Sequence, residues 1–492
     1  MDPSPIGQAV SWASPAPGAY TRSLRFGEWI SEPVTPLFES WLLSDMETGL
    51  RVHLEAWIGQ RAPRPYHVLV NGWYFYSIDW LSPTWLIRSL PTFARQLLRA
   101  PRRVAGIIPP TVRYSVPVFE RDWREDLLPR YRAAVGRAEA RVDVVPVTDL
   151  PALIDELGDL AGEYFASIAA LAGAAYKMEI NLARAYRRHV GGRLGGSHLP
   201  LLAGFERPVD PPAHAVATLD WWVAPSAGAM ASRSPADHQR LVDARIAAEQ
   251  AVFEALADSP RRSRAFRRLL IETQRLVPLR EEQVRDLTLP WPVMRRAVLR
   301  IGEALVAAGA IATPDDVFFL TRAEALTALA EPAAPSDPAT IDVEGRRALR
   351  AAQSMLVPPL FVGRMNPVLR RLWASFPRML GATRSDSAIV AGVPASPGRA
   401  TGTVRVIRGP DGFDTLLPGE ILVAPLTAPA WTPLFTLAAG VVTDVGNAAA
   451  HASIIAREYG IPAVVGCGDA TARLRTGMRV TVDGDTGNIE PA

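Results

Sequence analysis

The pattern of apolar and polar positions changes character near residue 388. Before that point the helical period dominates. Over residues 146–190 apolar side chains recur every three to four positions and alanine is abundant, which predicts one or two long helices. The run VPVFERDWREDLLPRYRAAVGRAEARV reads as helix from about Asp122, and residues 235–308 return to helical spacing. Within the latter, Arg261 to Arg268 read as a solvated helix face. A turn is expected at Ala312–Asp315, with DDVFFLT forming either a short strand or a packed turn. The helix EALTALA then fades into a Pro/Ala/Ser loop near 331–340, and a last helix covers about 343–355.

The first 85 residues follow neither period. They hold Trp12, Trp29, Trp41, Trp57, Trp73, Trp80 and Trp85, broken often by proline. Loops and short elements around an aromatic core are expected there, the core being structural or also lining a pocket. The stretch GGRLGG, Gly191 to Gly196, reads as a flexible loop. It is not a phosphate-binding loop, because no lysine–serine or lysine–threonine pair follows it. After 388 the segments are short, β-branched and punctuated by glycine: GTVRVI, EILVAP, AGVVTDV, PAVVG and MRVTVDG, with IIAREYG as a helix among them. The expected organisation is multidomain, α plus α/β. A mainly helical module covers 1–380, a polar link 381–387, and a compact α/β domain 388–492.

Composition narrows this picture. With 492 residues and 48% hydrophobic side chains, the chain folds into several cores. The formal charge of +3 splits into −2 from residue 387 onward and +5 before it, too little to argue for nucleic acid. The longest mild apolar stretch, Phe165–Tyr176, is too short to span a bilayer. The single cysteine, Cys467, excludes an internal disulfide framework and reads as a small core or turn residue; a reducing cytoplasm fits. The opening MDPSPIGQAVSW does not read as a secretory signal.

Candidate chemistry centres on His451, which sits where a glycine-containing loop enters an alanine-rich helix. Imidazole is a nucleophile that is partly uncharged at neutral pH and takes up groups reversibly. A helix start offers backbone N–H donors and partial positive charge, so the four amides of residues 451–454, those of Ala452 and Ser453 among them, suit a phosphoryl group. Gly446 would let the loop turn tightly, Asn447 could donate a hydrogen bond, and Thr443 could contact phosphate or hold the ring. A plain turn or capping role stands beside each of these three. A capping or packed role likewise stands beside the phosphoryl role for His451. Arg457, six residues on, is off the face of His451 by simple spacing. No HExxH, CxxC pair or carboxylate cluster with metal-ligand spacing is found.

The segments SPGRATGTVRVI, GEILVAPLTAPAWTPLF, AAGVVTDVGNAAAHASIIAREYGIPAVVG and GMRVTVDGDTGNIE resemble the mobile phosphohistidine domain of phosphoenolpyruvate-utilising enzymes. That family includes pyruvate phosphate dikinase, phosphoenolpyruvate synthase and rifampicin phosphotransferase. The resemblance implies a swivelling β/β/α domain over 388–492 with His451 as the phosphorylated residue. More weakly, EPVTPLFESW and VLRIGEALVAAGAIATPDDVFFLTRAEAL resemble the acceptor-side domain of the rifampicin phosphotransferase type. Two departures stand out. Asn447 replaces a second loop glycine, and Ala450 replaces the Ser or Cys that commonly precedes the histidine. No region resembles an ATP-grasp domain or a C-terminal phosphoenolpyruvate barrel.

The resemblance thus implies an acceptor-plus-carrier component. A partner ATP-grasp protein, holding ATP and magnesium, would load His451 with the β-phosphate. The phosphoryl group would pass to a small, largely apolar hydroxylated molecule. His53, His67, His189, His198, His214 and His238 are candidates for the base that deprotonates that hydroxyl. No tightly bound cofactor or metal is expected on the chain itself. The alternatives are a catalytically degenerate paralogue serving as a binding or regulatory protein, and a protein that sequesters an apolar ligand.

Overall fold

A computed structural model describes residues 10–22, 30, 32–58, 65–78, 112–205, 235–330, 342–356, 358–365, 388–427, 431–446 and 450–492, with a few isolated positions besides. The link at 381–387 lies outside these residues, as do Trp29, Trp80, Trp85 and the side chain of Trp57.

The helical region is built on one helix of 40 residues, Leu150–His189. A proline in its first turn fixes the starting angle, and Arg187, Arg188 and His189 face the negative end of its dipole. Helix Ser44–Ile58 crosses it where Gly49 meets Gly162 backbone to backbone. Helix Pro260–Leu287 runs along another side, and Trp291–Ala307 closes the bundle. Trp41, Trp123, Trp291, Tyr131 and Tyr164 are fully buried in this core, with Tyr131 stacked on Tyr164 at 4.6 Å.

Several expectations are corrected. The helix expected from Asp122 begins ten residues earlier: Val112–Asp122 continues through a π-helical turn, Trp123–Leu127, into Leu128–Arg141. Pro117 lies inside it rather than ending it. Of the two forms open to DDVFFLT the structure takes the packed turn, a 3-10 turn Pro314–Phe319. The Asp316 carboxylate accepts from the Thr313 and Ala312 amides and fixes the turn's start. Gly191–Leu194 is a helical turn, and the chain leaves it through Gly195 and Gly196, both at positive φ.

The tryptophan-rich region contains a sheet. Strands β1 (Ala19–Thr21), β2 (His67–Val70), β3 (Trp73–Ser77) and β4 (Phe361–Gly363) pair antiparallel in the order β2-β3-β1-β4. The hairpin turns on Asn71 and Gly72, at φ 50° and 76°, the conformation that matches strand twist in a two-residue connection. Strand β4 joins β1 across more than 300 residues, with Tyr20 opposite Val362.

The C-terminal region is β-rich. It contributes β5 (Val390–Ala391), β6 (Val393–Ser396), β7 (Arg399–Val406), β8 (Ile421–Ala424), β9 (Gly440–Thr443), β10 (Ala463–Val465), β11 (Arg479–Asp483) and β12 (Asn488–Pro491). Their order is β5-β12-β11-β7-β8-β9-β10-β6, with β7 to β10 parallel to one another. Helix His451–Tyr459 covers one face through Ala452 and Ala456, and Ala470–Arg473 packs on the other.

Candidate functional site

Strand β9 ends at Thr443, and the chain reaches His451 seven residues after Asp444. His451 therefore sits at the carboxyl edge of the parallel strands, where open α/β sheets place their ligands. It is the first residue of its helix, behind an extended Ala450 whose side chain makes no capping bond. The ring is buried, 5% exposed, and its Nε2 lies 3.3 Å from Thr432 Oγ1. Thr432 opens the short helix Thr432–Phe435 beside Trp431, which Phe413 meets edge-on at 4.8 Å.

The supporting residues divide. The Thr443 hydroxyl donates to Val445 O at 2.8 Å and so holds the turn rather than the imidazole. Gly446 has φ 151°, and a Cβ there would come within 3.0 Å of Val465 Cβ, so the turn requires glycine. Of the four amides expected around 451–454, those of Ser453 and Ile454 both donate to Ala450 O within the helix. Asn447 lies outside the described residues. Asp444 accepts from the Thr471 amide at 2.9 Å and from its hydroxyl, and burial raises its carboxyl. The Cys467 thiol is pushed well up, chiefly by desolvation with Asp444 and Asp469 adding, which opposes a nucleophilic role.

Arg457, which spacing placed off the face of His451, is 1% exposed and so closed to a phosphate-bearing partner in this arrangement. Its Nη1 donates to Ala395 O at 3.1 Å and faces Glu179 Oε1 on the long helix at 3.5 Å. Neither Glu179 nor this pairing was anticipated; only a charged residue at an otherwise apolar helix position hinted at it.

The candidate bases do not converge. His67 pairs with Glu47 at 2.7 Å and stacks on Tyr74. His198 is buried, its Nε2 3.8 Å from Glu179. His189 ends the long helix, and desolvation, then Arg262 and Arg188, hold it below the usual histidine range. His238 is half-buried on helix Pro235–Ala255, and His214 lies outside the described residues. His53 is lowered by burial, with the charge of Glu163 opposing. Glu163 also lines a cavity of about 270 Å³ with Phe119, Asp122, Trp123, Asp126, Leu127 and Ser167, at the π-helical turn. Among the described residues no three His, Cys, Asp or Glu side chains are grouped to hold a metal ion. None of the described helices is long and apolar enough to cross a membrane.

Residues 416–487 match the family "PEP-utilising enzyme, mobile domain". These residues are a PEP-utilising mobile domain. His451 is the only histidine in the segment. Phosphoryl transfer in the family runs through a histidine carried on such a domain. The chain is 39% identical over 196 residues to the uncharacterized phosphotransferase YvkC of Bacillus subtilis, covering 39% of this chain and 23% of that protein. It is 34% identical over 244 residues to a rifampicin phosphotransferase of Streptomyces sviceus, covering 48% and 26%. Against a phosphoenolpyruvate synthase of Aeropyrum pernix the identity is 49% over 109 residues, covering 22% and 13%. The matched segments thus span about a quarter or less of these relatives' own length.

Proposed function

We propose that the chain is the acceptor-plus-carrier component of a phosphotransferase, with His451 as the phosphoryl carrier. The reading rests on the mobile-domain match together with the position of its sole histidine, at a helix start on the carboxyl edge of the parallel strands. A partner of the ATP-grasp type holds ATP and magnesium and presents the β-phosphorus to the ring. An imidazole nitrogen attacks the β-phosphorus, the N–P bond forms and the P–O bond to the α-phosphate breaks with its electrons leaving on the oxygen of AMP; water then removes the γ-phosphate as inorganic phosphate, leaving one phosphoryl group on the ring. The helix N-terminus favours the new negative charge.

In the second half-reaction an acceptor hydroxyl attacks phosphorus, its proton passes to a base, and the N–P bond breaks to regenerate imidazole. The acceptor is a small hydroxylated molecule with an apolar body. A cavity that sets Phe119, Trp123 and Leu127 beside Asp122, Asp126, Glu163 and Ser167 offers apolar wall for the body and polar groups for the hydroxyl. Of the five described candidate bases, His53 is favoured, because its ring feels the charge of Glu163, a carboxylate of that cavity, and burial shifts it toward the neutral form a base needs.

Incubation with ATP, magnesium and an ATP-grasp partner, followed by mass spectrometry under conditions that preserve phosphohistidine, is expected to place one phosphoryl group on His451. The His451→Ala chain takes up none. An unmodified His451 under conditions where the partner consumes ATP overturns the proposal. It favours the second reading, a catalytically silent binding or regulatory protein, to which the uncapped Ala450 also points.

A further inference from the structure

The helical bundle gathers positive charge at one end. Helices Leu150–His189 and Pro260–Leu287 run antiparallel: Gln283 Nε2 donates to Ser167 Oγ at 3.3 Å, and Thr273 Oγ1 lies 3.5 Å from Met178 O. That register sets the end of the first helix beside the start of the second. The turn that follows the first helix joins them, with Arg193 Nη2 on Asp258 Oδ2 at 2.7 Å. Residues 184–194 and 253–268 carry nine arginines, all exposed, against two carboxylates, Glu254 and Asp258. This is a net of +7 in a chain of +3, so the remaining residues sum to −4. Arg188, Arg261, Arg262 and Arg268 have no carboxylate partner among the described residues. Elsewhere on the bundle exposed arginines are paired: Arg124 with Glu282, Arg130 with Glu163, Arg137 with Glu156. His189 feels the difference. Desolvation, then Arg262 and Arg188, hold it below the usual histidine range.

The turn GGRLGG stands at the same end. A Cβ at Gly192, Gly195 or Gly196 would meet nothing within 4 Å, so the turn is clear of the body of the protein. It presents Leu194, 44% exposed, amid the guanidinium groups. We infer that this end is a docking surface for a bilayer rich in anionic lipid, with the arginines on the headgroup phosphates and Leu194 at the acyl boundary. The guanidinium fork suits phosphate oxygens. The charge is spread over the ends of neighbouring helices, and no exposed aromatic side chain lies among these residues to stack on bases, which disfavours single-stranded nucleic acid. An apolar side chain within the charge distinguishes a lipid surface from a purely acidic protein face. The inference stands apart from the role of His451. A molecule with an apolar body concentrates in the same bilayer, so docking would also bring the proposed acceptor class close.

Flotation of the full chain with vesicles tests the assignment. Vesicles of equal parts phosphatidylglycerol and phosphatidylcholine are expected to carry the chain at about 0.1 M salt and to release it at about 0.5 M; phosphatidylcholine alone leaves it behind. Arg262→Gln with Arg268→Gln is expected to weaken partitioning at least about tenfold. Arg137→Gln with Arg296→Gln removes the same net charge from arginines paired with Glu156 and Glu139. Glu156 lies about 50 Å from His189 along the long helix, and this second pair of changes is expected to alter partitioning less than about twofold. Leu194→Ser is expected to weaken it at least about twofold. Circular dichroism checks that each variant is folded. Equal binding to both vesicle types overturns the inference, as does an equal loss from the two double variants. A Leu194→Ser chain that binds like the parent removes the lipid assignment and leaves an acidic protein face as the partner. A chain that ignores both vesicle types but retards a short duplex DNA at the same salt overturns it in favour of nucleic acid.

Discussion

Replacing Gly49 by alanine sets two known effects against each other. Alanine inside a helix gains about 1 kcal/mol over glycine in intrinsic propensity. At Gly49, however, the added Cβ would lie 2.5 Å from Gly162 Cα and 2.6 Å from its carbonyl carbon. Ordinary carbon contacts begin about 1 Å farther out. The obstacle is main chain, so no rotamer can relieve it and the two helices must separate. Overpacking of this kind costs about 1–3 kcal/mol, more where backbone must move. The loss outweighs the gain, and Gly49→Ala is expected to destabilise by about 1–2 kcal/mol. Gly162→Ala behaves alike, since its Cβ would meet Gly49 Cα and Asp45 O at 2.9 Å. Gly136 is the internal control: it lies in helix Leu128–Arg141, is exposed, and has nothing within 4 Å of a new Cβ. There the same change is expected to stabilise by about 0.5–1 kcal/mol. Urea unfolding followed by far-ultraviolet circular dichroism gives the three midpoints. A Gly49→Ala midpoint at or above that of the parent chain refutes the close-crossing argument.

Other substitutions probe the site and the ionisable groups. Gly446→Ala is expected to cost about 1–3 kcal/mol, from positive φ and the contact with Val465, and to lower phosphoryl uptake at His451 through the displaced loop; urea midpoints and phosphohistidine yield measure the two effects. Glu324 accepts from Arg346 and from both the amide and the hydroxyl of Thr321, and its carboxyl is lowered to about 2. Its folded value lies below the unfolded one of about 4.3, so its stabilisation is present above that pH and is lost as pH falls toward 2. At this partly exposed position the effect is about 1 kcal/mol, and Glu324→Gln should flatten the acid limb of the unfolding curve. Asp45 has the opposite sign: burial, then Asp155 and Asp159 against the opposing Arg322, raises it to about 6. Stability therefore declines as pH rises from about 3.9 through 6, and Asp45→Asn is expected to unfold at higher urea above that range, by about 1 kcal/mol after allowance for solvent screening.

Much of the architecture was readable where one signal spoke alone. The helix Leu150–His189 carries an uninterrupted apolar period, and the segments around β7, β8, β9, β10 and β11 are β-branched runs between glycines. Strands β5, β6 and β12 escaped notice because they span two to four residues, with Pro394 and Pro491 among them, too short for any period. The β2–β3 hairpin hid behind the tryptophan content, although Asn71–Gly72 is itself a strong turn signal. Pro117 misled because a proline reads as a break, whereas here the helix tolerates it. At the site, the helix start at His451 and the tight turn at Gly446 were legible from local sequence. Glu179 was not, since its partner is 278 residues away along the chain. The role of Thr443 turned on a hydrogen bond two residues distant that no pattern distinguishes from a bond to the ring.

The pairing of Tyr20 with Val362 has a consequence for biosynthesis. Strand β1 leaves the ribosome more than 300 residues ahead of β4, so one of its edges stays bare until residue 363 has been made. An unpaired strand edge is a template for foreign strands. Vectorial synthesis thus leaves this domain waiting on a contact of very large sequence separation, the slow class of folding step. Chains cut short before β4 should accumulate as aggregates, while those ending just beyond it acquire the complete sheet.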